Sequence, residues 1–272
     1  MATIQTADDY LRFIDDGYDV SSRQKKVNYL NYGPIGSGKT GSLLTVAKWP
    51  VIIHSFDKTG SKSIRSRILD RKLPPEKRIH VDTRFEVDDP MKPYTWDTWL
   101  AILEQMKHAD VFSGCGTFVV DSATGVLAVN MYKILKAEGR PGTWPQRQDY
   151  NPQTSQVGMV FNDILDFPCD VILNAHMIIA ENESDDKNMG FPMLTGVLKQ
   201  RVPGNIDEVY VSRAENTSKG VIYKFQTKPA NNCYARSRLD EIITGGDDAK
   251  TRLSVYEPAN YKAIRDKLGY DK

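Results

Sequence analysis

Eight consecutive residues, Gly33-Pro34-Ile35-Gly36-Ser37-Gly38-Lys39-Thr40, satisfy G-x-x-x-x-G-K-[ST] at every fixed position. The chemistry they suit is the holding of a phosphate chain. Glycines let the backbone turn tightly enough for successive N–H groups to point at phosphate oxygens, and the positive end of a following helix faces the same anion. Lys39 then reaches the β- and γ-phosphates, and the Thr40 hydroxyl ligates Mg²⁺. Gly33 through Gly41 is thus the expected nucleotide-contacting segment, with ATP and Mg²⁺ as cofactors. Gly41, directly after Thr40, weakens the first helical turn.

Hydrolysis of a phosphate anhydride also needs a metal holder, a group to orient water and positive charge for the transition state. Asp121 ends the apolar run Phe118-Val119-Val120 and is the expected second metal-holding group beside Thr40. Asp57 ends Val51-Ile52-Ile53-His54-Ser55-Phe56. It either orients the attacking water or caps the turn Asp57-Lys58-Thr59-Gly60. His176 closes Val171-Ile172-Leu173-Asn174-Ala175. It is either a boundary residue or a sensor that passes the state of the γ-phosphate to the segment after it.

These groups need strands that end at one edge. Val27 to Tyr32 reads as the strand before the phosphate loop and Ser42 to Lys48 as the helix after it, stopped by Trp49-Pro50. A basic solvated helix is expected over Ser63 to Lys72 and a short strand over Ile79 to Asp82. Trp96, Trp99, Leu100, Leu103 and Met106 recur at helical spacing, and their face is a core face. Strand and helix keep alternating through Val126 to Lys136, Gln156 to Phe167 and Val171 to His176, before β-type runs at 208–213 and 221–226 and a helix at 261–268. Near-continuous apolar strands separated by helices predict a mostly parallel sheet covered on both faces. Ala137 to Ser155 and Ala180 to Thr195 are polar and rich in Gly, Pro and Asn, and read as long loops.

With 272 residues, 40% apolar, the chain can bury a sizeable core. It carries 36 basic and 35 acidic residues, a formal net charge of +1, so any contact with nucleic acid must be local. No apolar run approaches membrane-spanning length, and the N-terminus lacks the pattern of a signal peptide, so a cytoplasmic protein with no membrane partner is expected. Cys115, Cys169 and Cys233 lack metal-ligand spacing and read as buried or incidental thiols. Residues 1–26 are polar except for Tyr10-Leu11-Arg12-Phe13-Ile14, either one amphipathic turn or an arm that docks on another subunit. Residues 27–272 form the remaining domain, with a short helical extension at its end.

The ordered series GPIGSGKT, VIIHSFD, FVVDSATG, ILNAHM, FPMLTGVLKQRVPGNIDEVY, FQTKP and YARSR resembles the RecA-like phage ATPases of the Sak type, which act in single-strand annealing and recombination. The resemblance implies an α/β RecA-like P-loop core, mostly parallel, with antiparallel strands toward the C-terminus. It also implies an ATPase that assembles as a homo-oligomeric ring or filament on single-stranded DNA in a phage-infected cytoplasm, with other phage replication or recombination proteins as further partners. The two long segments would face the DNA, and Lys228, Arg236 and Arg238 would complete a neighbour's ATP site. Arg140, Trp144, Arg147 and Tyr150 in the first segment mix cations with aromatics, as phosphate contact and base stacking require, and Lys187 is the cation of the second. The family usually places Glu where this chain has Asp57, one methylene shorter. A helicase loader or protein-remodelling ATPase, whose loops touch protein, and a slowly hydrolysing nucleotide-gated switch fit the same ATP site.

Overall fold

The computed structural model describes residues 26–70, 72–182, 187–240 and 252–271. The proposed docking arm therefore lies outside the described residues, apart from Lys26. Among the described residues the most apolar runs of the sequence form the middle of a ten-stranded sheet, eight of whose strands follow the order β10-β8-β7-β1-β5-β4-β2-β3 while β6 pairs with β5 and β9 with β7. Its parallel members are β1 (Asn28–Gly33), β2 (Val51–Ser55), β3 (Ile79–Asp82), β4 (Thr117–Asp121), the first half of β5 (Asp170–Asn182) and β7 (Glu208–Thr217). β8 (Gly220–Gln226), β9 (Arg236–Ser237) and β10 (Tyr256–Pro258) pair antiparallel, as the RecA-like expectation requires. β5 lies between the strand that feeds the phosphate loop and the strand that ends in Asp121.

Alternation along the strands sends side chains to two cores. Leu30, Tyr32, Phe118, Val120, Leu173 and Val209 meet helices α3 (Thr95–His108), α4 (Ala123–Ala137), α5 (Tyr150–Leu165) and α6 (Leu198–Gly204). Trp99 is fully buried there, and its indole donates to His54 Nδ1 at 2.9 Å. On the opposite face Tyr29, Ile53, Val119, Ile172 and Tyr210 meet Leu43, Val46, Ile64 and the C-terminal helix α7 (Tyr261–Leu268).

The helix after the phosphate loop is shorter than expected. α1 spans only Lys39–Ser42, Leu43–Thr45 continue as a 3₁₀ turn, and Val46 is already extended. Gly41 and the β-branched pair Thr45-Val46 are poor helix formers, and α7 covers the sheet area left bare. The Tyr261 amide donates to Thr45 Oγ1 at 3.1 Å. Asn260 caps α7 at its start and Gly269, at φ 79°, closes it. Arg265 of α7, wholly buried, pairs with Asp170 at 2.9 Å and Asp271 at 2.8 Å, while Lys48 takes the other Asp170 oxygen at 3.0 Å.

Both segments read as long loops are partly regular. Asp149 forms a capping box with Gln146 that starts a 3₁₀ turn at Arg147; the turn runs into helix at Tyr150, and the first connection shrinks to 138–149. In the second, β5 continues past His176 to Asn182 and pairs antiparallel with β6 (Lys187–Pro192), from Met177↔Pro192 to Asn182↔Lys187. The hairpin is tied back by Tyr32, whose hydroxyl proton is shared between Tyr234 O at 2.6 Å and Gly190 O at 3.0 Å. Polarity marks exposure here, not irregular backbone. The basic helix is also shorter, a 3₁₀ turn over Gly60–Ile64 followed by α2 (Arg65–Leu69). All three cysteines are buried and free. Among the described residues no helix is long and apolar enough to cross a membrane.

Glu208, wholly buried at the start of β7, accepts hydrogen bonds from the hydroxyls of Tyr210, Ser237 and Tyr270. Burial pushes its carboxyl from 4.5 up to about 7, against the pull of those hydroxyls. Between these values the unfolded chain releases the proton first. Stability contributed by Glu208 is therefore full below pH 4.5, falls by about 3 kcal/mol as pH rises to 7, and is flat above. Melting curves across this range should show the fall in the wild type and a clearly smaller one in Glu208→Gln; equal slopes would place the proton elsewhere.

Candidate nucleotide-binding site

β1 ends at Gly33, where a Cβ would stand 2.6 Å from the Ser212 carbonyl oxygen, so only glycine fits. The loop then turns through Gly36 at φ 78° and Gly38 at φ 87°, left-handed positions that glycine adopts freely. Pro34 and Ile35 form its outer rim, with Ile35 90% exposed. Gly38 caps α1 without a side chain, which leaves the first amides of the turn for a ligand. The loop, with Ser42, Thr45, Asp57–Gly60, Ser63, Asp121, His176, Tyr223 and Ala259, lines a cleft of about 740 Å³.

Lys39 is buried, and its ammonium donates to the carbonyls of Gly33 and Pro34, each at 2.9 Å. Burial lowers its pKa, against the charges of Asp121 and Asp57. Thr40 Oγ1 donates to Asp121 Oδ2 at 2.7 Å, which joins the loop to the end of β4. Burial, assisted by the nearby charge of Asp57, raises the Asp121 pKa against the hydrogen bond from Thr40. Asp57 shifts the other way. Burial alone would raise it, but hydrogen bonds from His176 and Ser122, with the His176 and Lys39 charges, hold it below the usual range. Two carboxylates in one cleft are thus pushed apart in acidity, an arrangement that gives them separate tasks.

Ser122 donates to Asp57 Oδ1 at 2.8 Å and accepts from the Gly125 amide at 3.1 Å, capping α4. His176 Nε2 lies 3.2 Å from Asp57 Oδ2, and its backbone amide donates to Thr124 Oγ1 at 3.0 Å. The strand register makes this possible: Gly33 is opposite His176, and Asp121 is opposite both Asn174 and Ser55. Ser37 Oγ is buried with no protein partner, as a group kept for a ligand would be. The donors, the hard-oxygen pair Thr40 and Asp121, and the glycine cradle fit a nucleoside triphosphate with Mg²⁺.

The sequence brings Lys39, Thr40, Asp57, Asp121 and His176 together as expected. Other candidates lie outside the cleft of their own chain. Arg236 donates to the carbonyls of Pro203, Gly204 and Ile206 at 3.0–3.2 Å, Arg238 donates to Gly204 O and lies 3.8 Å from Asp207, and Lys228 pairs with Asp240 at 3.2 Å. Arg140 is engaged by Asp149 at 2.5 Å, whereas Trp144 is 90% exposed and Arg147 and Tyr150 are also exposed. Lys187 opens β6 opposite Asn182. Tyr223 was not legible: it reaches the cleft only because the β7–β8 hairpin folds its ring onto Gly38, where a Cβ would meet it at 2.5 Å. Ser122 had a local signal, a serine between a strand-ending acid and a helix.

A family model described as an AAA domain matches residues 25–239. The chain belongs to this family. The match runs from just before β1 through Leu239 and takes in every lining residue of the cleft named above except Ala259. No curated protein matches the chain. Among solved structures it is similar to a KaiC-like protein from the hyperthermophilic archaeon Pyrococcus horikoshii, at 12% identity over 75% of this chain and 79% of that one, TM-score 0.42. It is also similar to a prototypical ATPase from the type III secretion system of pathogenic bacteria, at 14% identity over 68% and 51%, TM-score 0.40.

If this cleft binds nucleotide, Lys39→Ala should abolish binding of a fluorescent ATP analogue while leaving the melting temperature near wild type. Asp121→Asn should still bind nucleotide but lose Mg²⁺-dependent hydrolysis by roughly 10²-fold or more. Unchanged turnover in either variant would remove the roles assigned to these residues.

Proposed function

We propose that this AAA-domain protein hydrolyses ATP and uses the nucleotide state to control its hold on single-stranded DNA, in recombination or annealing of the phage Sak type. The observation that carries this reading is the Asp57–His176 contact, because His176 belongs both to the cleft and to the strand that runs on into the β5–β6 hairpin. Lys39 compensates phosphate charge, and Thr40 with Asp121 holds Mg²⁺, which when bound neutralises charge developing on the β- and γ-oxygens. Asp57 orients the attacking water. Ser122 fixes one of its oxygens and His176 engages the other, so movement of His176 toward a γ-phosphate would free Asp57 and shift the hairpin together. Asp57 is shorter than glutamate, and hydrolysis should be slow.

Trp144 and Tyr150 offer exposed rings for base stacking, worth about 1–3 kcal/mol per base and tolerant of sequence. Arg236 and Arg238 complete the ATP site of a neighbouring subunit in a ring or filament. A second reading, a protein-remodelling ATPase, draws on the exposed Ile178 and Ile179 of the β5–β6 hairpin and Val221 and Ile222 of β8, apolar surface that suits a protein partner.

Anisotropy of a labelled oligonucleotide with ATP, with ADP and without nucleotide should show binding that strengthens with ATP. Trp144→Ala should weaken it roughly tenfold while sparing basal hydrolysis, consistent with loss of one stacked base, and His176→Ala should bind DNA equally in all three states. No binding at concentrations where hydrolysis is readily measured would overturn the DNA reading in favour of the remodelling one. Arg236→Ala should bind ATP yet hydrolyse it poorly, and mixing it with Lys39→Ala should restore part of the turnover. Absence of rescue at every ratio would confine Arg236 to its contacts with the end of α6.

A further inference from the structure

We propose that the described part of the crossover between β2 and β3, residues 58–70 and 72–78, is a track for the sugar–phosphate backbone of the DNA strand; this rests on the reading of the protein as a DNA-acting ATPase. In the sequence from 58 to 78, Lys58, Lys62, Arg65, Arg67, Arg71, Lys72, Lys77 and Arg78 stand against only Asp70 and Glu76. Eight basic against two acidic residues leave a local excess of six in a chain of net +1, so the remainder of the protein carries −5. A polyanion is therefore attracted to this surface and not to the molecule as a whole.

Five of these cations also lack a carboxylate partner among the described residues. Elsewhere on the surface Lys107, Lys133, Lys224 and Lys262 have carboxylate partners. Among the described residues Lys58, Lys62, Arg65, Lys72 and Lys77 are exposed and form no ion pair. Ile64 is buried and Ile68 packs on the core, which fixes the 60–69 turns with Lys62 and Arg65 outward. At one end Lys58–Gly60 and Ser63 line the nucleotide cleft, and at the other the Arg78 carbonyl accepts from the Val51 amide at the start of β2. The track thus runs along the β3 flank from the mouth of the cleft to the opposite edge of the sheet.

This supplies what the first connection lacks. Trp144 can stack, but with Arg140 neutralised by Asp149 only Arg147 is exposed for phosphate in that connection, so sequence-tolerant binding needs further phosphate contacts elsewhere. A membrane is the poorer partner: α2 has five residues, and Leu69 is the exposed apolar side chain of the turns, too little for an interfacial helix.

The test is a salt titration of oligothymidylate binding by anisotropy, with wild type, Lys62→Ala/Arg65→Ala, and the quadruple variant that adds Lys72→Ala and Lys77→Ala. Lys58 is left intact because it lines the cleft. With four contacts removed, the slope of log affinity against log salt should become shallower by about 3, and with two by about 1.4. Low-salt affinity should fall at least tenfold in the quadruple variant, while its melting temperature and DNA-free ATPase stay at wild-type values. Trp144→Ala should weaken binding without changing the slope. Wild-type binding with unaltered slopes in both charge variants would overturn the track and leave the DNA reading standing. Wild type that binds no oligonucleotide in any nucleotide state would overturn both, and capture by phosphatidylserine vesicles in its place would reassign the surface to a membrane.

Discussion

The parallel register of β1, β5 and β4 is the constraint on which the cleft rests. β5 separates the phosphate loop from Asp121, yet Thr40 still reaches that carboxylate, and the intervening strand brings His176 level with Gly33 and beside Asp57. A slip of one residue would reverse every side chain of β5, placing His176 on the other face and Leu173 where Asn174 stands between Asp121 and Asn31. Apolar residues on both sides of these strands make such a slip costly, since two cores would lose their packing at once. Chemistry at the carboxyl edge is therefore specified by hydrophobic contacts well below it.

The two faces of the sheet are covered by different means. One has four helices from the crossovers. The other has little from the phosphate-loop helix, which ends after two short turns, and is completed by α7 from the far end of the chain. The Arg265–Asp170 pair then ties that helix to the start of β5, and Lys48 shares the same carboxylate. Removing Arg265 would leave a buried carboxylate with Lys48 as its remaining cation, a loss that in buried pairs commonly costs 3–5 kcal/mol.

What could be read from the sequence was what short-range chemistry determines. The phosphate loop, the strand-ending acids Asp57 and Asp121, and His176 were legible because each closes a run of apolar residues, and a parallel sheet gathers such ends at one edge. The β5–β6 hairpin was not, because its exposed strands carry the polar composition of a loop. Nor was the 3₁₀ turn that leads into α5, which depends on a capping box between Gln146 and Asp149, the carboxylate that also engages Arg140. Tyr223 and α7 reach the cleft through contacts across most of the chain, and nothing in their own segments announces a nucleotide.

That last contact sets an order of events. Thr45 and Tyr261 are 216 positions apart, and the second core closes only when Tyr261, Ile264 and Leu268 arrive. During synthesis from the N-terminus, the phosphate loop and both acids leave the ribosome long before the helix that supports them. A nascent or proteolytically shortened chain without α7 therefore carries every residue of the ATP motif but lacks the side chains that close the second core behind the phosphate-loop turns.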